Sequence, residues 1–147
     1  MGLISAADQE RLREDFAKLT RPVRLLFFTQ ALGCETCHIT RQVLDELPLL
    51  SDKIAIEEVN FVLEAEKATQ YGIDRVPAIA VTYVDGEAQK DSRIRFLGTP
   101  AGYEFIALVR AVLLAGGGRP SDLSEAGRGR LALVDRPMTL QVFTTPT

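Results

Sequence analysis

The chain holds two cysteines, Cys34 and Cys37, followed at once by its single histidine, His38. Residues of these types at this spacing can do three kinds of chemistry. Cys-x-x-Cys-His fastens a c-type haem, two thiols and an imidazole are three of the four ligands of a structural zinc, and Cys-x-x-Cys alone is a redox dithiol. Haem also wants a second axial ligand. The two methionines, Met1 at the terminus and Met138 far along the chain, are not inviting partners. Zinc is one ligand short, and on a helix His38 points about 100° away from Cys37. The dithiol needs nothing that the sequence lacks. A bridge between these residues closes almost no loop, so it has little to contribute as a staple. The bland alternative, two incidental cysteines on a helix, is weakened by what flanks them.

The flanks are a strand and a helix. "VRLLFFT", 23–29, is a nearly continuous apolar run, as expected of a central strand buried on both faces. "HITRQVLDEL", 38–47, reads as a helix stopped before Pro48. Cys37, Thr40, Leu44 and Leu47 share one stripe of it, and His38, Arg41, Gln42 and Asp45 a polar one. With a tight turn at Gly33-Cys34 and the helix starting at the cysteine, free N–H groups and the macrodipole favour the thiolate. Cysteines so placed have pKa values lowered to roughly 3.5–7.5. Cys37 falls on the apolar stripe and is expected to be the more buried. Cys34 would then attack a substrate disulfide, and Cys37 would resolve the mixed disulfide.

The remaining elements give the dithiol a setting. A helix is expected from about Ser5 to Leu19, with Ser5 and Asp8 forming a variant capping box. "KIAIEEVNF" reads as a second strand and "EAEKATQYG" as a helix capped by Gly72. "VPAIAVTYV", 76–84, reads as a third strand with Pro77 at its mouth. Asp85-Gly86 signals a turn towards a fourth strand, "RIRFL". Thr99 as N-cap and Pro100 at the first helical position open a last helix that ends in Gly116 to Gly118. The order α-β-α-β-α-β-β-α describes an α/β thioredoxin-like three-layer sandwich with a four-stranded mixed sheet. That fold places a cis-proline beside the dithiol, which predicts a cis Val76-Pro77 bond offering its backbone to an extended substrate.

Composition narrows the partners. The chain of 147 residues has a net charge of −3 and a pI near 5.2, which argues against nucleic acid as the main partner. No apolar run is long enough to span a membrane. The start, "MGLISAADQERLRED", has no secretory signal pattern, so a cytoplasmic location is expected. Residues 1–118 form the expected domain, bounded by the glycine run. Beyond it, "DLSEAGRGRLALVDRPMTLQVFTTPT" echoes "LISAADQERLREDFAKLTRPVRLLFFTQ", including the pairs Arg21-Pro22 and Arg136-Pro137. Residues 119–147 therefore read as the helix and first strand of a truncated second unit, with a generic helix plus strand as the alternative.

These motifs together resemble the glutaredoxin-like protein disulfide oxidoreductases, a family with two tandem thioredoxin-like units. The stretches carrying the likeness are "GLISAADQERLREDF", "RPVRLLFFT", Cys34-x-x-Cys37, "YGIDRVPA", "FLGTPAGYEF" and "LQVFTTPT". The resemblance implies that this is the N-terminal unit, that the second dithiol is missing, and that no cofactor or metal is required. The aromatic-Cys-Gly-Pro-Cys motif of thioredoxins is absent, and Phe28 stands where they carry a buried acid. Glu57 or Glu58 could replace that acid, although surface carboxylates are the plainer reading. Glu35, Thr36 and His38 could modulate the dithiol, His38 through an i, i+4 relation to Cys34.

The expected function is thiol–disulfide exchange on protein or small-molecule disulfides, with Cys34 and Cys37 catalytic and Val76 and Pro77 binding substrate. One alternative is an electron relay from a thioredoxin-reductase-type flavoprotein to a peroxidase. Another is a peptide-binding adaptor with an incidental dithiol. A dimer through the C-terminal strand is a further expectation, because unpaired strand edges seek partners.

Overall fold

The computed structural model describes residues 2–145, so Met1, Pro146 and Thr147 lie outside the described residues. Four strands form one sheet in the order β2-β1-β3-β4. Strand β1 (Val23–Thr29) pairs in parallel with β2 (Ile54–Asn60) and antiparallel with β3 (Ala78–Asp85), which pairs antiparallel with β4 (Ala88–Leu97). The unbroken apolar run of β1 follows from its central place. Val23, Leu25 and Phe27 point into one core, and Leu26 and Phe28 into another on the opposite face. Helices α1 (Ala6–Phe16), α2 (Cys37–Asp45) and α4 (Tyr103–Ala115) bury residues in the first core. Helix α3 (Ala65–Gln70) covers the second through Ala68.

Local chemistry sets the helix ends. Ser5 Oγ accepts from Asp8 N at 3.2 Å and donates to the Asp8 carboxylate at 2.6 Å, which completes the box. Helix α1 stops at Phe16, shorter than expected, and Leu19 leaves on a turn yet stays buried. After α3, Gly72 at φ +67° donates to Thr69 O (3.0 Å), and Ile73 N donates to Ala68 O (2.8 Å), the two bonds of a Schellman cap. The glycines after α4 pack closely rather than simply linking. A Cβ at Gly116 would overlap Leu19 and come within 2.9 Å of Val23 Cγ2.

Two expected boundaries move. Strand β4 starts at Ala88, after the two-residue turn Gly86-Glu87, and not at Arg93. Its first half, "AQKDSR", is polar because an edge strand needs no apolar faces, and charges there discourage pairing with other chains. A bulge follows, since Ala80 pairs with Arg95 but Thr82 with Asp91. Arg93 sits at φ +65°, Ser92 Oγ donates to Val81 O at 2.6 Å, and Asp91 Oδ1 accepts from Arg93 N at 2.8 Å. The Arg95 guanidinium on Asp91 holds that carboxyl below the usual carboxylate range. Helix α4 begins at Tyr103 with Gly102 as N-cap, not at Pro100. Thr99 does not cap it, because its hydroxyl is used elsewhere.

Beyond the glycine run, a short helix α5 (Glu125–Leu131), capped by Ser124, buries no residue. The strand expected over 138–145 is not formed, and Leu140, Val142 and Phe143 are exposed. With no strand beside it, this segment has no ladder to join.

Candidate functional site

The chain leaves β1 at Thr29 and turns through Gly33, whose φ of +73° a side-chain-bearing residue rarely adopts. Gln30 Nε2 braces this turn by donating to Leu32 O at 2.8 Å. Cys34 and Cys37 then form a disulfide, with Cα atoms 5.5 Å apart. Cys37 is 5% exposed and part of the main core, whereas Cys34 is half-buried at its margin. The expected asymmetry between the two sulfurs is therefore present.

The start of the helix differs from expectation. Residues 34–36 are spent on the turn, and α2 begins at Cys37 with Thr36 as N-cap. Cys34 therefore lies two residues before the N-cap, outside the helix itself. His38, the second residue of α2, is exposed, and Cys34 lies before the helix. Glu35 and Thr36 are exposed as well.

Sequence reasoning missed two residues here. Thr40, fully buried on the apolar stripe, donates its hydroxyl to Thr36 O at 2.9 Å, and Thr40 N donates to the same carbonyl at 3.0 Å. Its Oγ1 also lies 2.8 Å from Thr99 Oγ1. The carbonyl between the two cysteines is thus held by α2, and α2 is tied to the segment after β4. A hydroxyl on an otherwise apolar stripe was the available signal, because buried polar atoms find partners.

The Val76-Pro77 bond is cis, as expected. Val76 packs against both cores, and Pro77 O accepts from Gly98 N at 2.8 Å, which joins the proline loop to the end of β4. Cys34 and Val76 pack against the same cluster. Just upstream, the Arg75 guanidinium lowers the carboxyl of exposed Asp74 below its usual range. Neither candidate acid on β2 is free. Glu58 pairs with Arg41 of α2, and on the opposite face Glu57 pairs with Lys67 and lies 3.7 Å from Arg24. Among the described residues, no group of three or more His, Cys, Asp or Glu side chains could hold a metal ion. No helix there is long and apolar enough to cross a membrane. A surface hollow of about 280 Å³ between β4, α4 and residues 119–122 includes no residue of the cysteine or proline loops.

A strand–dithiol–helix junction on a β2-β1-β3-β4 sheet, with a cis-proline before β3, defines a thioredoxin-like redox protein. No family model matches the chain. It is 32% identical over 77 residues to a probable thioredoxin of Methanothermobacter thermautotrophicus, covering 52% of this chain and 80% of that one. A probable thioredoxin of Methanothermobacter marburgensis is 32% identical over 88 residues, covering 59% and 92%. The N-terminal NTD_N/C domain of the alkylhydroperoxide reductase AhpF of Enterococcus faecalis superposes with a TM-score of 0.73 at 31% identity, over 84% of this chain and 57% of that one. A protein disulfide oxidoreductase of Aeropyrum pernix gives 0.70 at 26% identity, over 88% and 54%. This chain thus spans a little over half the length of those two solved chains. The chain belongs to the thioredoxin-like family of thiol–disulfide oxidoreductases, and Cys34-Cys37 is its redox disulfide.

Proposed function

We propose that the chain reduces disulfides of proteins and small molecules with Cys34 as the attacking residue. In the dithiol form, the Cys34 thiolate attacks one sulfur of the substrate disulfide. A Cys34–substrate disulfide forms, and the other substrate sulfur leaves and takes a proton. The Cys37 thiolate then attacks the Cys34 sulfur, closing the Cys34–Cys37 disulfide and releasing the second substrate thiol. Two electrons and two protons pass to the substrate, and an external dithiol or a flavoprotein restores the pair. Run backwards, the same steps oxidise a substrate dithiol.

The observation that carries this assignment is the half-buried Cys34 beside the buried Cys37 at the helix start. Val76 and Pro77, in the loop packed on the same core, are read as the backbone platform for an extended substrate. Glu35, Thr36 and His38, all exposed around the disulfide, are read as tuning its potential, with Glu58 acting through Arg41 on α2. Cys34→Ser and Cys37→Ser test the roles. The first should abolish reduction and the second should leave a trappable mixed disulfide, whereas the opposite pattern would reverse the assignment.

Likeness to a domain of an alkylhydroperoxide reductase subunit favours a second reading, an electron relay between a flavoprotein and a peroxidase. Reduction of Cys34–Cys37 by a thioredoxin-reductase-type flavoprotein would support it. Residues 119–147 are read as the opening of a second thioredoxin-like unit, on the strength of the repeated sequence pattern and the length of the solved relatives. The exposed tail segment is then a pairing surface, including for a second copy of the chain. A cytoplasmic setting accords with cysteines used only as a redox pair.

A further inference from the structure

The hollow beside the cysteine turn has no part in the exchange steps above. It measures about 220 Å³ and is lined by Gln30, Ala31, Leu32, Asn60, Val62 and Leu63. Leu32 is 85%, Val62 65% and Leu63 83% exposed. Single exposed leucines are ordinary, but three large apolar side chains around one hollow are a patch. They come from two loops, at the carboxyl ends of the parallel pair β1 and β2, where open α/β sheets tend to bind ligands.

Both loops are braced independently of these side chains. Gln30 Nε2 holds Leu32 O, while Asn60 Oδ1 accepts from Val62 N (3.0 Å) and Leu63 N (2.9 Å). Glu64 Oε2 accepts from Asn60 N at 2.7 Å, and Phe61 N donates to Thr29 O at 2.8 Å, tying one loop to the other. The apolar groups are therefore presented by a preorganised frame, which reduces the ordering that binding must impose. Leu32 is two residues from Cys34, so the hollow is lined by the same loop that carries the attacking cysteine.

We infer that this hollow is a specificity subsite taking one apolar side chain that flanks the disulfide of a polypeptide substrate. The inference rests on the exchange reading above. None of the lining residues is charged, so a carboxylate or ammonium gains nothing there and loses its water. The volume lies below the roughly 300–1,000 Å³ of pockets for drug-sized molecules, which fits one side chain and not a free organic cofactor.

Two disulfide-bonded peptides, differing only in Leu or Ser beside the disulfide, test it together with bis(2-hydroxyethyl) disulfide. The wild-type chain should favour the Leu peptide in kcat/KM by about tenfold, mainly through KM. Leu32→Ser and Leu63→Ser, both at exposed positions, should each reduce that ratio, and the double variant should bring it close to one. Equal rates for the two peptides with the wild type, or a ratio kept by the double variant, would overturn the subsite. No wild-type turnover of the small disulfide would instead overturn the exchange reading on which it rests.

Discussion

Replacing Thr40 by valine keeps the shape of a fully buried side chain and removes one hydroxyl. That hydroxyl makes two contacts, with Thr36 O at 2.9 Å and with Thr99 Oγ1 at 2.8 Å. At about 0.5–1.5 kcal/mol net for each hydrogen bond, the loss is bounded by about 1–3 kcal/mol. Two facts favour the lower half of that range. Thr36 O keeps its bond from Thr40 N, and half-buried Thr99 can turn to water. The expected loss is about 1–2 kcal/mol, a fall of roughly 0.5–1 M in the urea midpoint at unchanged m. Thr99→Val should destabilise less, and the double variant should show a coupling energy of about 0.5–1.5 kcal/mol. Because the carbonyl that loses one of its two bonds lies between the cysteines, Thr40→Val should also slow release of substrate from a preformed Cys34 mixed disulfide. A Thr40→Val variant within about 0.3 kcal/mol of wild type, or strict additivity with Thr99→Val, would refute the linkage between α2 and the end of β4.

Acid should weaken the β4 bulge. Arg95 lowers the folded pKa of Asp91, so its contribution is present above the unfolded value of about 3.9 and is lost as pH falls through the folded one. Asp91→Asn should therefore lower thermal stability at pH 7 and flatten its decline below about pH 4; parallel wild-type and variant profiles would contradict this. Gly116→Ala should destabilise by about 1–3 kcal/mol in chemical denaturation, because its methyl meets Leu19 and Val23. Deleting residues 136–147 should leave disulfide reduction intact and abolish any dimer seen in sedimentation. If that deletion unfolds residues 1–118, the tail belongs to the first domain's core.

The parts of the fold read correctly were those with both faces buried or with fixed local chemistry. The β1 run, the Ser5 and Gly72 caps and the Val76-Pro77 turn each follow from a few adjacent residues. Misread boundaries fell where tertiary partners decide. The polar half of β4 pairs only because β3 is beside it, and Thr99-Pro100 imitates a helix start while Thr99 serves Thr40. That contact spans 59 residues, and no local pattern encodes it. At the dithiol, residue types and spacing disclosed the chemistry, but not the turn that places the helix start at Cys37. The hollow beside Cys34 was equally hidden, because its walls come from loops some thirty residues apart that only the parallel pairing of β1 and β2 brings together.

The division of labour between the two sulfurs can be measured directly by pulsed alkylation of the fully reduced protein, with each cysteine followed by peptide mass. Half-buried Cys34, in the turn before the helix, should be modified first and increasingly as pH rises through its own pKa, while Cys37 lags at every pH. Equal modification of the two, or faster modification of Cys37, would contradict the assignment of Cys34 as the attacking residue.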